Sequence, residues 1–305
     1  MTTHKRIPRI LTATLASCAL LLAGCAGEVE VDKDAKPRVL TTFTVIADMA
    51  QNVAGDHLDV QSITKVNQEI HDFQPAPEDI KKGETAQLIL NNGFGLERWF
   101  EKFVSDSDAE TVVLSEGIEP IAIEEGDYSG KPNPHAWMSP TAAQIYVDNI
   151  VKAFSQLDPE HKADYEKNGE EYKAQIDEVD EMLKREIGSI PENERALVTC
   201  EGAFSYLARD TGLTEKYLWA VNSDGAITPK RVADVENYVK ENNVPAVFCE
   251  STVGDKMQPI VEATGVKFGG TLYVDSITDP DGDAPTFLDL LRYDAEIITK
   301  GLTGK

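Results

Sequence analysis

The stretch DPEHKADYEKNGEEYKAQIDEVDEMLKREI, Asp158 to Ile187, decides the architecture. Its apolar residues Tyr165, Tyr172, Ile176, Val179, Leu183 and Ile187 recur in steps of seven, four, three, four and four, the spacing of one face of an α-helix. Asp158-Pro159 supplies the start signal. At about 1.5 Å per residue, the helix from Pro159 to Ile187 reaches roughly 43 Å, the length of a whole domain. One apolar stripe over that distance reads as a spine packed across two lobes. An ordinary surface helix of the second lobe is the alternative.

On either side of this helix, short β-branched runs alternate with amphipathic helical patterns, as in parallel sheets built from crossover units. Before it come strands at Arg38–Thr42, Leu58–Ile63, Leu88–Leu90 and Thr111–Leu114, with a helix through Ile46, Met49 and Val53 that stops near Gly55. Ser139 and Pro140 cap and open another helix. After the spine, Ala196–Thr199 leads into a helix with Glu201 in its first turn. Then come Tyr217–Trp219, a helix from about Pro229, Ala246–Cys249, a helix near Met257, Val266–Phe268 and a terminal helix from Pro285 to Leu302. The expected fold is α/β: two lobes with parallel β-sheets flanked by helices, joined by a single long spine helix. The expected boundaries are residues 38–158, 159–188 and 189–305.

The amino terminus reads as an export signal over residues 1–24. Lys5, Arg6 and Arg9 precede an apolar run from Ile10 to Leu22 that is too short to span a membrane. The run ends Leu22-Ala23-Gly24-Cys25, which is similar to a bacterial lipoprotein signal, so Cys25 is expected to carry lipid on a solvated tether over residues 25–37. This places the protein outside the cytoplasm, anchored to the cell membrane. The formal charge is −24, and the signal carries three positive residues and no acids, which leaves −27. So negative a surface excludes nucleic acid as a partner. Besides Cys25 the mature chain keeps Cys200 and Cys249, each before a glutamate. Neighbouring parallel strands rarely offer disulfide geometry, so two buried free thiols are expected ahead of a bridge.

Four loops carry the chemistry. They are Glu69-Ile70-His71-Asp72-Phe73, Asn133-Pro134-His135-Ala136-Trp137, Thr199-Cys200-Glu201-Gly202-Ala203-Phe204 and Tyr273-Val274-Asp275-Ser276. Each candidate ligand is expected just after a strand, where open α/β sheets bind their ligands. Taken singly each has a plain structural explanation. Converging between two lobes, two imidazoles and two carboxylates form a complete shell for one divalent cation. His4, His57 and His161 have no neighbouring loop that would complete a site.

These blocks, with Asn92-Gly93, Trp99 and Phe248-Cys249-Glu250-Ser251, resemble the metal-binding segments of the substrate-binding lipoproteins of metal-ion ABC importers, in order from Arg38 to the carboxyl terminus. The resemblance implies His71, His135, Glu201 and Asp275 as metal ligands, with Asn92, Trp137, Glu250 and Ser276 in support. It also implies a monomer that hands its metal to a membrane permease with a cytoplasmic ATPase. Asn133, Ser139 and Cys200 depart from the usual pattern, which touches the support of the ligands rather than the ligands themselves. Zinc-importing relatives commonly present histidine where Glu201 stands and often add a histidine-rich loop. Here Ile123–Tyr128 is acidic without histidine. Two imidazoles and two carboxylates suit Mn(II) first and Fe(II) next, ahead of Zn(II). The rival from another class is a secreted metallohydrolase, which needs an open metal position, and no H-E-x-x-H pair occurs. A surface adhesin role is untested by the residues.

Overall fold

The computed structural model describes residues 36–304 apart from 105–106, 127 and 222–226. The signal segment, His4 and Cys25 lie outside the described residues. No described helix is long and apolar enough to cross a membrane.

The first half contains β1 (Arg38–Thr41), α1 (Thr44–Ala54), β2 (Asp59–Ser62), α2 (Pro77–Thr85), β3 (Leu88–Asn91), α3 (Phe100–Val104), β4 (Glu110–Val113) and α4 (Pro140–Leu157). Its strands form one parallel sheet in the order β2-β1-β3-β4. β3 is buried along its whole length, as a strand covered on both faces must be. The Ser139 hydroxyl accepts the Ala142 N–H at 3.3 Å and Pro140 occupies the first turn, so α4 starts where the sequence signals it.

The spine is α5 (Lys162–Gly188), preceded by a 3-10 turn at Pro159–His161. All six residues of the stripe are buried, together with Gly169 and Asp180. The helix packs on α1 and α4 from the first half and on α6 and α9 from the second, so the surface-helix alternative fails. Gly169 permits the approach to α4, because a Cβ there would lie 2.4 Å from Val151 Cγ2.

The second half runs β5 (Ala196–Glu201), α6 (Ser205–Thr211), β6 (Thr214–Trp219), α7 (Pro229–Glu241), β7 (Ala246–Glu250), α8 (Gln258–Thr264), β8 (Lys267–Leu272) and α9 (Phe287–Thr303). Parallel pairing joins β5 to β6 and β7 to β8. Among the described residues no ladder joins the two pairs, which abut along β5 and β7.

Two expectations are corrected here. Cys200 and Cys249 are joined in a disulfide rather than free, with Cα atoms 4.9 Å apart. Their strands are neighbours without being ladder partners, so the side chains escape the orientation that a parallel ladder imposes, and the separation lies in the range a bridge spans. Glu201 is the last residue of β5 and not part of a helix's first turn, since α6 begins only at Ser205. The register runs on to pair Glu201 with Trp219, and Gly202 then passes under the Tyr217 ring, where a Cβ would meet ring carbons at 2.9 Å.

Candidate metal centre

His71 stands on the long connection from β2 to α2, and Pro75 and Pro77 keep that connection from closing early into helix. Buried Ile70 anchors it, its carbonyl accepting the Trp99 indole N–H at 3.3 Å. His135 precedes a 3-10 turn at Ala136–Met138, well after β4. Glu201 ends β5, and Asp275 follows β8 by three residues. Only these two carboxylates therefore sit at strand ends. Both histidines ride on longer loops, which corrects the expectation that every ligand follows directly on a strand.

The four side chains nevertheless converge. His71 Nε2 lies 3.1 Å from His135 Nε2, 3.7 Å from Glu201 Oε1 and 3.9 Å from Asp275 Oδ1, and His135 Nε2 is 3.9 Å from the same Asp275 oxygen. All four are at most 7% exposed. Burial, reinforced by the His71 charge, holds His135 well below the ordinary histidine range, so its imidazole is neutral and ready to ligate. Burial pushes the Asp275 carboxyl well above its ordinary value, and the nearby Glu69, Glu201 and Glu250 carboxylates push the same way. Asp275 Oδ1 is buried without a hydrogen-bond partner among the described residues. A buried cluster of acids with an unsatisfied oxygen, facing two imidazoles of which His135 is held neutral, fits a divalent cation.

The supporting residues act through identifiable bonds. Asn92 donates to the Pro134 carbonyl at 3.0 Å and accepts the Tyr146 hydroxyl at 2.5 Å, which fastens the His135 loop to β3. The Trp137 indole donates to the Val274 carbonyl at 3.0 Å, tying the His135 loop to the Asp275 loop. The Glu250 carboxylate accepts the Glu201 N–H at 3.2 Å. The Ser276 hydroxyl accepts the Asn67 N–H at 2.7 Å and donates to the Ile277 carbonyl at 2.7 Å. Asn133 Oδ1 takes both the backbone N–H and Nδ1 of His135 at 3.0 Å.

Sequence reasoning missed Glu69 as a member of the site. Its carboxylate caps the His71 N–H at 3.0 Å and, with His71 and Asp275, forms a second cluster of ligand atoms within 4.8 Å of one another. The signal was present, since Glu69 stands two residues before His71. Buried Glu97 was also passed over. It accepts the Thr42 hydroxyl and the Asn92 N–H at 2.7 Å, bracing the turn beneath the site. His57 and His161, for which no neighbouring loop was expected to complete a site, stack at 3.9 Å between centroids, each on its own carboxylate, Asp164 and Asp158.

The family model described as zinc-uptake complex component A, periplasmic, matches residues 39–301. The chain belongs to this family of metal-binding, substrate-binding proteins of ABC importers. Within it, the chain is 45% identical to the iron-binding protein YfeA of Yersinia pestis, over 97% of this chain and 96% of that one. It is 32% identical to the manganese ABC transporter substrate-binding lipoprotein PsaA of Streptococcus mitis, over 94% and 96%. The fold matches that of the Mn-bound periplasmic metal binding protein of Candidatus Liberibacter asiaticus with a TM-score of 0.81 and 37% identity, covering 88% of this chain and all of that one. The periplasmic zinc binding protein TroA of Treponema pallidum shares the fold, with a TM-score of 0.82 at 24% identity. Two lobes of parallel sheet flanked by helices and bridged by a long helix are thus the family's architecture, and its members work with a membrane permease and an ATPase.

Proposed function

We propose that the chain captures Mn(II), with Fe(II) as its next cargo, outside the cytoplasmic membrane and delivers it to its permease, using His71, His135, Glu201 and Asp275 as ligands. The observation that carries this reading is the convergence of two imidazole nitrogens and two carboxylates on one buried point. Nitrogens 3.1 Å apart, each about 2.1 Å from one ion, subtend roughly 95° there, nearer the right angle of six-coordination than the tetrahedral value of about 109°. Bidentate carboxylates would supply the remaining positions. Zinc is the competing cargo. It binds such sites tightly on general grounds, so a zinc-loaded preparation says nothing about what the cell imports.

Capture and handover need no bond chemistry, and the reading is of a binding protein rather than a hydrolase. The reading includes lipid on Cys25 as the membrane anchor of a monomer, with residues 38–158 and 189–305 as lobes and 159–188 as their link. Changing Glu201 or Asp275 to alanine should lower Mn(II) affinity strongly with little loss of fold. Calorimetry giving unchanged affinity in both variants rejects the ligand set. Uptake of labelled manganese, iron and zinc, in cells with and without the protein, ranks the cargoes. Cys25→Ser should release the protein from the membrane fraction.

A further inference from the structure

Outside the metal centre lies a cavity of about 580 Å³ between the loop at Ile121–Glu124 and the β5–β6 half. Asn133, Gly202, Ser205, Arg209, Glu215 and Tyr217 are among its walls. Three of these form a hydrogen-bond chain that ends on a metal-centre histidine. The Ser205 hydroxyl contacts Glu215 Oε2 at 2.5 Å, while Glu215 Oε1 accepts the Phe204 N–H at 2.8 Å. Asn133 Nδ2 donates to Ser205 Oγ at 3.1 Å and to the Gly202 carbonyl at 2.7 Å. Asn133 Oδ1 faces His135 Nδ1 at 3.0 Å.

The direction of every proton in this chain follows from chemistry. A carbonyl and a carboxylate only accept, so the Asn133 amide nitrogen must face Gly202 and Ser205, and its oxygen must face His135. An amide oxygen also only accepts, so His135 carries its proton on Nδ1. Its Nε2 lone pair is then directed at the cluster of His71 and Asp275.

We propose that Glu215 is a positioning residue of the metal centre: through Ser205 and Asn133 it holds His135 in the tautomer that presents Nε2 to the metal, and it does so from the wall of a solvent-accessible cavity. The inference rests on the ligand role of His135. Burial pushes Glu215 up to about 7, opposed by the bonds from Ser205 and Phe204 and helped by the charge of Glu124. Other titratable groups around it are Arg209 of α6 and Tyr217 of β6, both on the cavity wall, and Glu250 of β7, whose carboxyl the Glu215 charge raises. Ionised, Glu215 only accepts, the Ser205 hydroxyl donates to it, and the lone pairs of Ser205 Oγ face the Asn133 amide. Protonated, Glu215 can donate to Ser205 Oγ, which takes away the acceptor of the Ser205 hydroxyl proton and turns that proton toward the Asn133 amide hydrogens. The chain is therefore tight above the Glu215 transition and slack below it.

The test compares Mn(II) affinity of the full chain, E215Q and S205A from about pH 6 to about pH 8.5. Both variants should bind about ten-fold more weakly at the upper end, as loss of a partner behind a ligand does, and converge on the parent within about two-fold at the lower end. Nitrogen NMR of the metal-free imidazoles gives a readout that needs no metal: His135 should be the Nδ1–H tautomer in the parent and a mixture in E215Q. S205A, which leaves the carboxylate in place, keeps the test alive if E215Q does not fold. An affinity ratio constant with pH, or an unchanged His135 tautomer in both variants, overturns the proposal. An altered tautomer with equal Mn(II) affinity at every pH would instead sink the ligand role of His135.

Discussion

The half before the spine and the half after it bring opposite chemistry to the same point. The first contributes His71 and His135, with a single carboxylate, Glu69, beside them, from loops braced on a continuous four-stranded sheet. The second contributes Glu201 and Asp275 from two separate strand pairs, held together at their junction by a disulfide and by the Glu201 N–H on Glu250. Buried acids occur in both, but they are handled differently. Burial raises Glu97 in the first half too, but the Thr42 hydroxyl and the N–H groups of Asn92 and Gly93 oppose it, and no carboxylate neighbour among the described residues adds to it. In the second half burial pushes Glu250 up to about 8 and raises Asp275 and Asp294 well above the ordinary range, with carboxylate neighbours adding to it. An imidazole held neutral, as that of His135 is, costs little to bury, whereas clustered acids cost much until a cation joins them. The first half is a frame, and the second is completed by its cargo.

Breaking the junction between the strand pairs should have the largest effect. Replacing Cys200 and Cys249 together by serine opens a loop of 49 residues, which the chain-entropy estimate values at about 4 kcal/mol. Denaturant titration should show that loss, and Mn(II) affinity should fall with it, because Glu201 and Glu250 directly follow the two cysteines. A double variant as stable as the parent would mean that β5 and β7 are held by packing alone.

Next comes Asp275. Asp275→Ala should cost more than about a hundred-fold in Mn(II) affinity, beyond the range for partners behind a ligand. Metal-free Asp275→Asn should melt no lower than the parent, since it removes a buried acid that has no cation to face. His71→Ala should weaken metal binding without that compensating gain. Equal behaviour of the two metal-free proteins would erase the contrast between the halves.

Loading the parent with Mn(II) at a hundred-fold excess over its dissociation constant should stabilise it by about 2.7 kcal/mol. Hydrogen exchange should show the added protection concentrated in β5–β8 rather than in β1–β4. Because the raised Asp275 carboxyl must lose its proton to ligate, binding near neutral pH should also release protons, measurable as a buffer-dependent heat. Uniform protection across both sheets would show that the first half, too, waits for the metal.

The spine, the alternation of strands and helices and the four side chains that converge were legible because each is a local pattern: a stripe of period 3.6, β-branched runs, and polar residues in fixed short blocks. What was not legible depends on distant contacts. Glu201 was placed in a helix's first turn because the apolar run ends at Thr199, but pairing with Trp219 extends the strand. The disulfide needed the angle between two unladdered strands, which no local spacing encodes. The stack of His57 on His161 joins the turn after α1 to the turn before α5, sites about a hundred positions apart in the chain. Glu69 was in plain view, but nothing in its neighbours says that its carboxylate turns toward Asp275.

The smallest expected effect concerns Glu250, and it separates the cost of a buried acid from its use. Its oxygens accept the Glu201 N–H at 3.2 and 3.3 Å, and a glutamine oxygen can do the same, so Glu250→Gln should leave Mn(II) affinity at neutral pH within about three-fold. Stability should distinguish the two proteins instead. A carboxyl raised to about 8 in the fold, against an ordinary value near 4.5, is protonated when the folded chain is at neutral pH. It contributes stability that is fully present below the unfolded value and is lost as pH rises through about 8. The metal-free parent should therefore weaken steadily over that interval, and Glu250→Gln should weaken less, the gap widening with pH. A gap that narrows as pH rises would mean Glu250 is ionised in the fold and paid for by donors other than the Glu201 amide, and the second half would then be no more acid-burdened than the first.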